Sequence, residues 1–389
     1  MDSLRILHIT ETGIGGVGRH LELVLPALRK QGIVSGLIVS ECRADSAFLD
    51  KLDVICGAPT RHWTVPISTV PAVSDILVLR RISRIVDEWR PDVVHAHSTK
   101  AGLLGRLACR RMGVPLVYTP HAFFFQRFHA ALTRSTVALF DRLLCRIRPA
   151  YSIFVSRSEQ AVAEEYGLVG DGSFCICENG LPDDFRRKML SRESARDDLG
   201  IGHDTIAVGV PGRIAHQKGQ DWFLRAIPRT KVDDRVHFFM AGTGPGQVSL
   251  QRFCNYKGLT HRVTWLGNVP ELQRKLAAFD LVVLPSRYEG LSYLLLETLA
   301  SGIPLIVSDI PAHFPRQTLR SRIRSVKPED CEGLARLLTA SCQQSTELRK
   351  NFAEWAPEFV ATEFSLSAQA ECLAAAYRRS SGSSVPNPP

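Results

Sequence analysis

The chain has 389 residues, 45% hydrophobic and 22% charged, the balance of an ordinary soluble globular protein with material for about two domains of roughly 100–200 residues each. Its ten cysteines follow no disulfide or zinc rhythm and include no C-x-x-C, which excludes a disulfide-stapled scaffold and implies buried thiols in a reducing compartment. The net charge of +9 is uneven, with ten Lys and Arg between Lys100 and Arg157 against the single acid Asp141, so an anionic partner is implied.

The opening MDSLRILHIT enters a strand pattern directly, without a basic segment followed by an apolar core. No run reaches the roughly 18 apolar residues of a membrane span. A cytoplasmic protein is therefore expected. The first glycines, Gly13, Gly15 and Gly18, fit G-x-G-x-x-G after a strand and before a helix. This pattern admits a nicotinamide cofactor, with Glu41 as the ribose acid, or a simple tight turn. Arg5–Thr10, Ser35–Val39, Val93–His97, Leu116–Thr119 and Ser152–Val155 read as strands, with helices over His20–Lys30, Ile76–Trp89 and Ala101–Arg111.

After a Gly, Pro and charge cluster near Glu178–Leu190 the alternation starts again. Thr205–Val210, Val236–Ala241, Val263–Leu266, Leu281–Leu284 and Leu305–Val307 form a second strand set, with helices over Asp221–Ile227, Gln247–Lys257, Glu271–Ala278 and Tyr293–Ala300. Strand–helix alternation of this kind predicts parallel, doubly wound sheets. The expected plan is an α/β protein of two Rossmann-like domains. An N-terminal domain covers 1–180, a hinge 181–195 and a C-terminal domain 196–364, followed by a helix over 365–379 and a flexible tail over 380–389.

Two constellations carry the chemistry. In Ser286–Asp309 a buried strand ends at Pro285, a loop presents Glu289 and Gly290, and a helix capped by Ser292 carries Glu297 before stopping at Gly302. Carboxylates at the C-terminal edge of a parallel sheet can accept hydrogen bonds from sugar hydroxyls, while the helix N-terminus attracts phosphate. In Val210–Gly219 a strand end is followed by Arg213 and Lys218, two cations suited to charge developing on a departing diphosphate. No Asp-x-Asp and no His/Cys cluster at metal-ligand spacing occurs in the sequence, so neither a metal nor a cofactor is expected and a nucleotide-sugar would be the substrate. Taken singly, each charge reads as a solvated side chain.

Together, G-R-x-x-x-x-K-G and S-x-x-E-G-x-x-x-x-x-x-E-x-x-A-x-G-x-P resemble the retaining GT-B glycosyltransferases of the large E-x7-E family, the family-4-like enzymes of polysaccharide and lipopolysaccharide synthesis. The resemblance implies two domains facing a cleft, with the donor on the second and the acceptor on the first. By that similarity Glu297 holds the ribose, and Glu289 with Gly290, Leu291 and Ser292 holds the transferred sugar. Arg213 and Lys218 grip the diphosphate. Gly15 and Gly16 face the diphosphate and acceptor, and His121 stands beside the donor sugar, with Ala122 where the family usually has glycine. The resemblance also implies a hexose or N-acetylhexosamine donor, UDP-linked, and a lipid-linked sugar or glycan acceptor.

His95 and His97 share one strand face; both are expected in structural roles, with His97 also a candidate acceptor contact alongside Gly16, Lys100 and His121. Phe123–Phe125, Arg127 and the helical run Leu132, Leu139, Phe140, Leu143 and Ile147 admit two readings. One is a helix packed on the first sheet; the other is an element with Phe tips in acyl chains and Arg among anionic headgroups. Nucleic acid is not expected, since no recognition motif occurs. Two other classes stay open: an NAD(P)-dependent oxidoreductase and a non-catalytic sugar-nucleotide binder.

Overall fold

The computed structural model describes residues 3–44, 46–57, 61–68, 72–128, 130–147, 149–169 and 174–382. Most of the expected tail, 383–389, lies outside them. The chain divides into two compact units, Met1–Gly180 with Leu366–Pro389, and Leu181–Ser365.

The first unit is built on seven parallel strands, β1 (Arg5–Thr10), β2 (Val34–Ser40), β3 (His62–Val65), β4 (Val93–His97), β5 (Leu116–Thr119), β6 (Tyr151–Phe154) and β7 (Phe174–Ile176), in the order β3-β2-β1-β4-β5-β6-β7. Their apolar runs are nearly continuous because helices cover both faces of a parallel sheet. Leu7, Ile9, Val94 and Ala96 pack under one helical layer, and Ile6, Val93 and Val117 under the other. The closing helix, Leu366–Ser380, belongs to this unit; its Leu373, Ala374 and Tyr377 join the second layer.

The second unit repeats the plan with six parallel strands, β8 (Ile206–Pro211), β9 (Val236–Ala241), β10 (Val263–Gly267), β11 (Leu281–Leu284), β12 (Leu305–Ser308) and β13 (Arg324–Val326), in the order β10-β9-β8-β11-β12-β13. The stretch read as a hinge, 181–195, carries a short turn of 3-10 helix and the start of the helix Arg192–Leu199. Arg196 anchors that helix with side-chain bonds to Asp280 at 2.7 Å and to the Ala278 carbonyl at 3.0 Å. In both sheets the winding direction reverses once, between β1 and β4 and between β8 and β11. Doubly wound sheets open a crevice at the carboxyl ends of strands at such a reversal.

Candidate active site

At the reversal of the first sheet, Thr10 is registered with His97 and His8 with His95. Alternate residues share a strand face, so β1, β4, the first helix and the loop after β5 gather five imidazoles. His8 Nδ1 lies 3.1 Å from His97 Nε2, and His97 Nδ1 lies 3.0 Å from His121 Nε2. The ring of His20, from the helix Gly15–Lys30, is 4.8 Å from that of His121. His95 is held by the Tyr377 hydroxyl at 2.7 Å and by Thr119 Oγ1 at 2.9 Å. Burial lowers the pKa of His8 to about 3 and of His20 to about 4, and takes His95, His97 and His121 well below the usual imidazole range. The cluster is neutral at pH 7 because its desolvation disfavours charge.

His121 and Ala122 sit at φ 54° and 78°, the left-handed region. The glycine usual after this histidine is thus explained, and Ala122 carries strain in its place. A residue that sequence reasoning missed holds this corner. The buried carboxylate of Glu159 accepts the Ala122 amide at 2.6 Å and the Val155 amide at 2.8 Å. Burial pushes its carboxyl up to about 7 in spite of those amides. The signal was present as Ser156-Arg-Ser-Glu159, a capping-box pattern. Ser156 does cap the helix Arg157–Glu165, but the glutamate reaches across to the His121 corner.

The glycine loop divides into packing and open positions. A side chain on Gly13 would meet Phe48 at 2.4 Å, and one on Gly18 the Gly13 carbonyl oxygen at 2.1 Å. Gly15 and Gly16 are exposed at the head of their helix, with no described atom within 4 Å of an added Cβ. Glu41, the ribose acid of the nicotinamide reading, is exposed in the turn after β2.

Two expectations need correction. Lys100, expected at an acceptor, is buried with its ammonium 2.7 Å from Asp75, an ion pair that ties the helix Thr99–Met112 to Asp75–Trp89. Phe123 and Phe125, which one of the two readings tips into acyl chains, are buried with Ala138, Phe154, Ala163 and Leu168. The apolar residues of the following helix, Ala131–Ile147, do the opposite: Leu132, Leu139, Phe140 and Leu143 face solvent, while Ala138 and Asp141 point inward. His97 is fully buried between His8 and His121.

At the reversal of the second sheet, β8 runs into Gly212–Gly219 and β11 into Ser286–Ser292, and the two loops are tied together. The Arg287 amide donates to the Gln217 carbonyl at 2.8 Å, Gln217 Nε2 to the Tyr288 carbonyl at 3.2 Å, and Trp222 Nε1 to the Pro285 carbonyl at 2.9 Å. Gly219 allows the approach, since a Cβ there would lie 1.9 Å from the Pro285 oxygen. Arg287 locks the arrangement from the side, with both terminal nitrogens 2.8 Å from Asp221 and its Nε 2.7 Å from Glu329.

Lys218 Nζ is 2.5 Å from Glu289 Oε1, which also accepts from Ser286 Oγ at 2.8 Å. Burial works to raise the Glu289 carboxyl, but Lys218, then His313 and Ser286, outweigh it and hold it below the usual carboxylate range. Arg213 is exposed on the same loop as Lys218, and its carbonyl accepts from Gln220 Nε2 at 3.1 Å. Gly290 and Leu291 are buried and lead to Ser292, whose Oγ caps the helix Tyr293–Ala300 by accepting the Leu295 amide at 3.4 Å. Glu297 is buried on that helix. The structure therefore brings Lys218 and Glu289 into direct contact, and sets Arg213 and Glu297 on the segments that carry them. Ser286, Gln217, Arg287 and His313 support the site without having been expected from sequence.

Each unit matches a family of its own. The family described as Glycosyltransferase Family 4 matches residues 14–184, and Glycosyl transferases group 1 matches residues 205–343. The chain is a GT-B glycosyltransferase of the family-4 type. This glycosyltransferase is 27% identical over 288 residues to a UDP-Gal:alpha-D-GlcNAc-diphosphoundecaprenol alpha-1,3-galactosyltransferase of Escherichia coli, covering 69% of this chain and 70% of that one. It is also 27% identical over 304 residues to an alpha-D-kanosaminyltransferase of Streptomyces kanamyceticus, covering 73% and 76%. In fold it resembles Anabaena HepE in complex with UDP and glucose, at TM-score 0.77 and 19% identity over 96% of this chain and 98% of that one. The enzyme takes a nucleotide-sugar donor. No helix among the described residues is long and apolar enough to cross a membrane.

Proposed function

We propose that the enzyme transfers a hexose or N-acetylhexosamine from a UDP-sugar to a polyprenyl-diphosphate-linked sugar, with retention at the anomeric carbon. The observation that carries this reading is the Lys218–Glu289 contact at the reversal of the second sheet. A cation beside a carboxylate supports a ligand that combines a diphosphate with sugar hydroxyls. Arg213 and Lys218 stabilise the charge that develops on the departing diphosphate, Glu297 accepts from the ribose hydroxyls, and His121 serves the transferred sugar. No metal is required in this scheme, because fixed cations take its part. The departing phosphate accepts the acceptor's proton as the new glycosidic bond forms. The Escherichia coli relative, whose name specifies UDP-Gal and a GlcNAc-diphosphoundecaprenol acceptor, supports the choice of donor and acceptor class.

A lipid-linked acceptor calls for attachment to a membrane surface, and the helix Ala131–Ile147 supplies a suitable face. Leu132, Leu139 and Leu143, spaced by seven and four residues, form one exposed stripe beside exposed Arg142 and Arg146. Each basic residue near an anionic surface contributes about 1 kcal/mol, so several together give reversible attachment at the inner face of the cytoplasmic membrane.

The test is transfer from UDP-, GDP-, ADP- and dTDP-sugars to GlcNAc-diphosphoundecaprenol, with the product anomer read by NMR. One UDP-sugar is expected to react with its anomeric configuration kept. Preference for another base, or an inverted product, would overturn the corresponding part of the reading.

A further inference from the structure

The neutral imidazoles of the first unit exceed what the transfer reaction uses. Only His121 has a role in it, yet four other histidines are packed against or behind it without one acid among their ring contacts. In two sets of three, His8, His95 and His97, and His20, His97 and His121, one nitrogen of each ring lies within 4.8 Å of the others. The first set is committed elsewhere, since both nitrogens of His95 are held by Tyr377 and Thr119. The second set differs in two respects. His121 is only partly buried, which gives an ion a way in. In addition, the chain bends into conformations that non-glycine residues avoid on either side of the cluster, at Ser98 with φ 69° and at His121 and Ala122. Strain of this kind persists where surrounding structure over-determines it and gathers at functional sites.

We propose that His20, His97 and His121 form a site for a borderline transition-metal dication such as Zn²⁺. Nitrogens bound to a tetrahedral zinc at about 2.0–2.1 Å stand roughly 3.3–3.4 Å apart, so the 3.0 Å between His97 Nδ1 and His121 Nε2 needs to open by only a few tenths of an ångström. Coordination replaces the hydrogen bond between these two nitrogens, with the His121 proton carried on Nδ1 once the ion is bound. A supporting shell is in place. His97 presents its other nitrogen to His8 at 3.1 Å, and His20 Nδ1 lies 3.3 Å from the Gln369 amide nitrogen. His8 Nε2 meets no partner among the described residues in a side chain without exposed surface. His97 can keep its one proton on Nε2 and donate it to His8 Nδ1, with the His8 proton on Nε2, which leaves His97 Nδ1 as a lone pair for the ion. Three protein nitrogens leave a fourth position open on the exposed side of His121, where the ion would hold a water or a phosphate oxygen.

The test uses the full chain, free of any polyhistidine tag, titrated with Co²⁺ as a spectroscopic stand-in and with Zn²⁺ by calorimetry. One equivalent bound with a visible d–d band of four-coordinate Co²⁺ is expected. His97→Gln and His121→Gln should each weaken binding at least tenfold and remove the band, and His8→Gln should weaken it by about tenfold as a supporting residue. If His97→Gln fails to fold by far-UV circular dichroism, His121→Gln carries the measurement, because its ring is only partly buried. Absence of a stoichiometric ion, or an ion whose affinity and spectrum are untouched by His121→Gln, would overturn the site.

Discussion

The two sheet reversals occupy the same topological position and are furnished oppositely. Beyond β8 and β11 the residues are charged and paired, with Lys218 against Glu289 and Arg287 clamped on Asp221 and Glu329. On and around β1 and β4 they are five histidines with their pKa values driven down by burial. A doubly wound sheet provides the crevice; the side chains at strand ends decide what it handles. Fixed charges in the second unit suit a ligand that is itself charged, with Lys218 holding the Glu289 carboxyl, and Arg287 the Asp221 carboxyl, below the usual carboxylate range. Neutral rings in the first unit suit hydrogen bonding and coordination, and stay neutral because burial disfavours their charged form.

Breaking the charged edge should have the largest effect. Arg213→Ala is expected to lower kcat by about 10²–10³, the scale on which one transition-state charge stabiliser acts; near-normal turnover would remove Arg213 from the chemistry. Lys218→Met should strand the Glu289 carboxylate and destabilise the second unit by about 2 kcal/mol, below the figure for a fully buried pair because Lys218 keeps some exposure. The double variant Lys218→Met/Glu289→Gln should recover most of that stability in urea unfolding, and failure to recover it would show that the pair is not coupled.

The neutral edge is sharpened by pH. An imidazole whose folded pKa lies below its unfolded value contributes stability that is present above about pH 6.5 and lost as pH falls through the folded value, which is about 3 for His8 and about 4 for His20. Glu159, raised to about 7, and Asp141, raised to about 6, run the other way. Their contribution is present below the ordinary carboxyl pKa and lost as pH rises through those values. Five imidazoles outweigh three carboxyls, Glu11 being raised by burial as well, so hydrogen-exchange protection of β1 and β4 should fall between pH 7 and pH 4, and more steeply than that of β8 and β11. Equal slopes in the two units would contradict the contrast.

On the exposed stripe of the helix Ala131–Ile147, replacing Leu139, Phe140 and Leu143 with serine should release the protein from anionic liposomes and leave its fold intact, because these side chains are exposed. Retained binding would return the helix to a purely structural role. The smallest expected change is Ala122→Gly, which relieves a left-handed alanine and should raise stability by about 0.5–1 kcal/mol in thermal unfolding.

Most of the scaffold was legible. All ten strands expected from the sequence are present within about a residue, because both faces of a parallel sheet are covered and each strand reads as an apolar run. The three strands that went unread, His62–Val65, Phe174–Ile176 and Arg324–Val326, are short edge strands, paired on one side only and free of that requirement. The helix Ala131–Ile147 admitted two readings. Its apolar spacing was real, but the stripe faces solvent, and periodicity reports that a face exists without saying which side is covered.

By itself the sequence determined the alternation of strands and helices, the loops that carry Arg213, Lys218, Glu289 and Glu297, and the glycines needed where backbones nearly touch, because these depend on neighbours a few residues apart. Only the tertiary structure decided that Lys218 would pair with Glu289, that Lys100 would be spent on Asp75, that Glu159 would hold the His121 corner, and that five histidines drawn from residues 8 to 121 would meet. Such pairings are set by strand order and register, which bring distant residues within hydrogen-bond range and withdraw them from water, and no local pattern encodes that distance.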